Sequence, residues 1–352
     1  MERCDNLTDR QTDRQTNYVI DCFRILAVLM VLTVHVRGYL EGIPTIISKL
    51  FSIGAYGVAL YFIISGYLSY KSVLNCSSFT QYLRKKIIRI FPMYYVSLLV
   101  TFIIGAVILK IYPIDWKWIY HILFLNMFVP NKEWMWWNSV NFFWTMPAFV
   151  AWYLLSYPLF KKMTNSTTTA ISSLIVSILT PDLKRIMNMF ASEQFVNWNF
   201  FCLLYVFLFG SLAYFIIKEK KHVIGFAYGF LIGIIGRFCE NRSGFFVFGI
   251  VFYFLLLLVD LCPIKWTNKK INQTIRWLSA ISYSTYLTHW FILTLCGNML
   301  KMLPWMFAYL LFIVISVILG GFCYKFIEKP VTNLIVRYCG ILKLSLHCGL
   351  KK

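Results

Sequence analysis

Residues 21–36 read DCFRILAVLMVLTVHV, an apolar run that opens on Asp21 and is broken by one arginine, Arg24, and one histidine, His35. On a helix, the eleven steps from Arg24 to His35 return to within about 20° of the starting direction and climb about 16 Å, so the two side chains share one face. Asn17 and Asp21 fall on the same stripe. Hydrocarbon neither solvates charge nor offers hydrogen-bond partners, so in a membrane helix this stripe must face protein or a water-filled cavity. An ionisable pair at such a depth marks a functional site. The alternative is an Arg24–Asp21 ion pair with His35 at the membrane interface.

The remainder of the chain reads as membrane protein. Its 352 residues are 59% hydrophobic and 19% aromatic with only 14% charged, and the mean hydropathy is +0.68. A soluble domain of that composition would expose large apolar patches and aggregate. Apolar runs at 18–36, 51–70, 91–111, 143–160, 167–181, 199–217, 222–237, 245–262, 281–300 and 305–327 predict an all-α, polytopic integral membrane protein of about ten transmembrane helices. The run at 118–130 is too short to cross and is read as a re-entrant or interfacial segment. The first 17 residues are polar and lack a cleavable signal pattern, so the first helix is expected to act as an uncleaved anchor.

Charge supports this division. With ten spans and a cytoplasmic N-terminus, 23 of the 34 lysines and arginines lie inside, 10 outside, and Arg24 within the first helix. Counting 118–130 as a span would move Lys161–Lys162, Lys218–Lys221 and the basic C-terminal tail outside, against the positive-inside rule. The net charge of +20 is therefore an orientation signal, and nucleic acid is not an expected partner. The ten cysteines show no CxxC or Cys/His spacing, so neither a metal site nor a disulfide framework is expected. The chain divides into a cytoplasmic tail at 1–17, one membrane domain at 18–332 and a basic cytoplasmic tail at 333–352.

Three further segments carry candidate chemistry. QYLRKKIIRIFP places Arg84, Lys85, Lys86 and Arg89 just before Pro92, whose position predicts a helix start. Four cations near a helix N-terminus suit the phosphates of a polyanionic cytosolic ligand such as coenzyme A, or else anchor the loop to anionic lipid. In WLSAISYSTYLTHWFI, Ser282, Thr285, Tyr286 and His289 share one helix face, which supplies a second intramembrane histidine. EWMWWNSVNFFW gathers Trp134, Trp136, Trp137 and Trp144 around Glu133 and Asn138, either as an interfacial belt or as a stacking platform for sugar rings.

In this order these segments resemble the acyltransferase-3 family of membrane O-acyltransferases, which modify cell-surface glycans. The resemblance rests on Arg24 and His35, GAYGVALYFIISGYL at 54–68, RKKIIRIFPMYY at 84–95, FWTMPAFVAWYLLSYP at 143–158, ISYSTYLTH at 281–289 and IEKP at 327–330. It implies transfer of an acyl group, usually acetyl and sometimes succinyl, from cytosolic acyl-CoA to a hydroxyl of an extracytoplasmic polysaccharide or lipid-linked glycan. It also implies a bacterial plasma membrane as the setting, polysaccharide-synthesis proteins as partners, and acyl-CoA as donor substrate, with no permanently bound cofactor. Arg24 and His35 match the family's paired essential positions, and Arg84–Arg89 its element facing coenzyme A. Two positions depart from the pattern: Lys86 stands where arginine is commoner, and Phe149 where many members carry glutamate. An extended pantetheine arm spans a distance comparable to the rise of about 16 Å from Arg24 to His35. The expected roles are His35 as general base or transient acyl carrier, Arg24 as the group orienting the donor, and His289 as a proton-transfer partner. Trp136, Trp137 and Trp144 are candidates for the acceptor. The rival reading is a glycan export protein without acyl chemistry, and a third is an inactive scaffold subunit of a polysaccharide synthase.

Overall fold

The computed structural model describes residues 2–114, 116, 118–125, 143–191, 193–239, 241, 243–261 and 268–338, with the backbone alone for 2–17 and 194. Trp134, Trp136, Trp137, the 126–130 part of the short apolar run and the tail from 339 onward lie outside the described residues. All regular structure among the described residues is helical. The helices are α1 (Glu2–Val36), α2 (Thr45–Ser52), α3 (Gly57–Leu74), α4 (Phe79–Thr101), α5 (Trp118–Ile122), α6 (Thr145–Lys162) and α7 (Ser166–Asn188). They continue with α8 (Glu193–Trp198), α9 (Leu204–Glu219), α10 (His222–Phe238), α11 (Gly244–Leu261), α12 (Lys269–Lys301) and α13 (Trp305–Cys323).

Six segments are long and apolar enough to cross a membrane, at 18–39, 45–74, 79–108, 201–219, 244–261 and 305–338, while α10 is apolar but shorter. The expected runs at 167–181 and 281–300 lie within α7 and α12, and that at 143–160 begins two residues before α6; these helices carry more polar residues. In α7 these polar groups are internally satisfied: the hydroxyls of Ser173 and Ser177 donate to the carbonyls of Thr169 and Ser173 at 2.8 and 2.7 Å. A serine so bonded can face a neighbouring helix without water.

Contacts between the helices give their directions. Helices α1 and α12 run parallel, with Asp21 beside Ser279 and His35 beside His289. Helices α10 and α11 are antiparallel, tied by His222 Nε2 and Asp260 Oδ2 at 2.9 Å. Helices α7 and α9 are antiparallel too, with Ser166 Oγ donating to Glu219 Oε2 at 2.8 Å. One end of the bundle therefore gathers Asp21, Lys85, Lys162, Lys221, Asp260 and Arg276, and we call it the basic end.

The expected helix start at Pro92 is not observed. Helix α4 begins at Phe79, where the Ser78 hydroxyl accepts the Gln81 amide at 3.2 Å, and Pro92 lies inside it. A proline removes one i→i−4 hydrogen bond but leaves φ helical, so a capped, well-packed helix tolerates it at the cost of a kink. Arg84–Arg89 consequently stand along the flank of a continuous helix, and the helix N-terminus is not part of their site.

The centre of the bundle is the α3–α9 crossing, where the backbones touch. A Cβ on Gly66 would lie 1.9 Å from the Phe207 carbonyl oxygen, and one on Gly210 1.9 Å from that of Ile63. Neither neighbour can rotate away, because both are backbone. Gly66→Ala is expected to force the helices apart and to cost about 1–3 kcal/mol, read as lower thermal stability in detergent.

Candidate active site

The parallel α1–α12 contact assembles the two polar stripes. At the basic end, Ser279 Oγ donates to Asp21 Oδ1 at 2.6 Å, and Asp21 lies 3.5 Å from Arg24 Nη1. At the opposite end, the imidazoles of His35 and His289 meet with ring centroids 5.2 Å apart, and Trp290 closes on His35 edge-on at 5.4 Å. His289 is fully buried, whereas His35 is half-buried. The Tyr286 carbonyl oxygen is 2.6 Å from His289 Nδ1. A carbonyl only accepts, so Nδ1 carries the proton and Nε2 is the basic nitrogen of the neutral ring.

Arg24 has the acidic neighbour that the structural alternative required, yet it also opens onto two cavities. The inner one, about 130 Å³, is lined by Arg24, Lys86, Arg89, Tyr61, Ser65, Tyr153, Ser282 and Tyr286 among others, and among the described residues none of its lining is acidic. The outer one, about 520 Å³, is lined by Asp21, Arg24, Lys85, Arg89, Arg276, Glu328 and Lys329 with several polar neighbours. Arg24 and Arg89 line both and therefore stand at the boundary between them. At roughly one water per 10–15 Å³ of such space, the inner cavity has room for a chain or a small group rather than a polymer.

The basic segment divides over these cavities as helical spacing dictates. Lys86 and Arg89, three residues apart, line the inner cavity, while Lys85 and Arg89, four apart, line the outer one. Arg84 lines neither. Lys86 Nζ donates to Ser69 Oγ at 3.1 Å and lies over the Tyr153 ring at 4.7 Å, so this lysine is held by a hydroxyl and a π face. Phe149, at the position of the missing glutamate, forms part of the inner wall and packs edge-on against Phe62 with centroids 5.1 Å apart. Trp144 stacks on Trp198 at 5.2 Å, so one of its faces is already covered.

Several lining groups were not singled out by sequence reasoning. Arg276 looked like one more orienting cation. Glu328 belongs to the IEKP segment, which carried resemblance but no assigned role; it is buried, and the Ser284 hydroxyl donates to its Oε2. Tyr61, Tyr153 and Thr145 gave no signal, since hydroxylated side chains in apolar runs usually serve only as interhelical partners. Among the described residues, no group of three or more His, Cys, Asp or Glu side chains comes together that could hold a metal ion.

The arrangement places fixed positive charge around two adjoining cavities at one end and a pair of imidazoles beyond the inner one. Such a set can hold an anionic donor and move a proton at an acceptor hydroxyl. No curated protein and no solved structure matches the chain significantly. A family model described as an acyltransferase domain matches residues 17–325, a stretch that contains Arg24, both histidines and all the cations of the two cavities except Lys329. The chain therefore belongs to the acyltransferase-3 family and is a membrane acyltransferase.

Proposed function

We propose that this acyltransferase moves an acyl group, acetyl in the first instance, from cytosolic acyl-CoA to a hydroxyl of an extracytoplasmic polysaccharide or lipid-linked glycan. The observation that carries the reading is the sharing of Arg24 and Arg89 by two adjoining cavities, the larger lined by five cations against two carboxylates and the smaller by cations, hydroxyls and apolar side chains. Phosphates of the donor seat in the outer cavity against Lys85, Arg89, Arg276 and Lys329, and the pantetheine arm threads past Arg24 into the inner one. The basic end faces the cytoplasm of the plasma membrane, with both chain termini on that side, as the distribution of lysine and arginine supports.

His35 then removes the proton from the acceptor hydroxyl, whose oxygen attacks the thioester carbonyl carbon. The C–S bond breaks, the C–O bond forms, and the proton passes to the departing thiolate. Arg24 polarises or orients the donor, and His289 holds its proton on Nδ1 so that Nε2 can exchange one with the neighbouring ring. Trp136, Trp137 and Trp144 remain candidates for the acceptor face, where sugar-synthesis proteins would also dock. The small inner cavity favours acyl transfer over glycan export, since a sugar polymer needs a wider path.

The purified protein, given radiolabelled acetyl-CoA and a surface-glycan extract, is expected to label the polymer. Absence of both transfer and thioester hydrolysis, together with glycan export that continues in a His35→Ala variant, would sink the proposal. Mass spectrometry of surface glycan with and without the protein identifies the acyl group and the polymer together.

A further inference from the structure

The inner cavity stops short of the histidines. Thr145 and Tyr286 line its wall, whereas neither His35 nor His289 does. The Tyr286 ring lies 5.9 Å from that of His289 and 5.8 Å from that of Tyr61, so it occupies the space between cavity and imidazole. Its hydroxyl is held 2.9 Å from Thr145 Oγ1, both atoms buried, in a bond that joins α6 to α12. The backbone carbonyl of the same residue fixes the proton on His289 Nδ1. One tyrosine thus walls off the histidine with its ring, sets the tautomer with its carbonyl, and is tied to another helix by its hydroxyl.

We infer that the Tyr286–Thr145 hydrogen bond is a latch between the donor cavity and the histidine pair, released when an acceptor is in place. This rests on the reading above that the donor enters from the basic end. Its use is chemical economy. A thioester brought to a basic imidazole without an acceptor is open to water: the C–S bond breaks, a C–O bond to water forms, and the water's proton ends on the thiol. A closed latch keeps thioester and imidazole apart until the sugar hydroxyl can compete. Tyr286 and Thr145 are positioning residues here, because they act through the access they give to His289.

Thr145→Val and Tyr286→Phe each delete or replace one oxygen with little change in side-chain size, so either one tests the latch if the other fails to fold. Two readouts on the full-length protein in lipid nanodiscs separate the possibilities. The first is acceptor-independent release of radiolabelled acetate from acetyl-CoA, expected to rise several-fold relative to glycan transfer in both variants. Thr145→Ser, which keeps the hydroxyl, should restore the low ratio. The second is carbethoxylation of His289 by diethyl pyrocarbonate, mapped by mass spectrometry and independent of any acyl transfer; it should rise several-fold in both variants. Unchanged carbethoxylation in folded Thr145→Val and Tyr286→Phe protein would overturn the latch. Raised carbethoxylation in a protein whose wild type neither transfers nor hydrolyses acetyl-CoA would keep the latch and refute the donor reading instead.

Discussion

Replacing His35 by alanine is expected to lower acyl transfer by about 10²–10⁴-fold, the usual contribution of a positioned general base, while leaving the folded protein able to bind acyl-CoA. His35 is half-buried at the end of α1, its ring rests on His289 and Trp290, and alanine removes an imidazole without exposing a buried ion pair. A glutamine there should not rescue, since it offers a donor and an acceptor but no titratable nitrogen. Initial rates of label transfer at saturating donor, with acyl-CoA affinity measured in parallel, check this. Transfer within tenfold of wild type would remove His35 from the reaction. His289→Ala distinguishes the two rings further: if His289 only relays a proton, its loss should slow transfer less than the loss of His35.

The second large effect concerns the donor. Arg24→Gln and Arg89→Gln should each weaken acyl-CoA binding about 10- to 100-fold, since a hydrogen bond to a charged group contributes about 1.5–3 kcal/mol. The double variant should lose at least about 100-fold, with dephospho- and short-arm analogues of coenzyme A less affected than the full donor. Both arginines line the inner and the outer cavity, so their loss acts on both at once. Arg84→Gln is the internal comparison: Arg84 stands on the same helix but lines neither cavity, and its replacement should leave donor affinity within about twofold. Equal losses at Arg84 and Arg89 would show that net charge, rather than the cavity lining, holds the donor.

The division between what could be read and what could not follows from the reach of the signals. Helical character was legible because it depends on local hydrophobicity, and the described part of each of the ten apolar runs is mostly helical. Helix ends were less legible. The start at Phe79 depends on one serine cap, and Pro92, a strong local signal for a helix start, is overridden by packing on both sides of it. Among the basic residues, periodicity lets Arg89 share a face with either Lys85 or Lys86, but nothing local says which face meets which cavity. The glycines at 66 and 210 carry the same limit: each looks like a permissive residue in an apolar run until the partner backbone is seen 1.9 Å from its absent Cβ.

By itself the sequence determined a helical membrane protein, the common face of Arg24 and His35, and the family, because periodicity, hydropathy and motif order are properties of the chain. Only the tertiary structure decided that Asp21 meets Ser279 while His35 meets His289, and that Arg24 and Arg89 line two adjoining cavities. It alone placed Tyr286 between the inner cavity and the imidazoles. Those facts depend on which helices lie side by side and in what register. In a bundle that choice is made by shape, by small residues that let backbones approach and by polar groups that must find partners across hundreds of residues of chain.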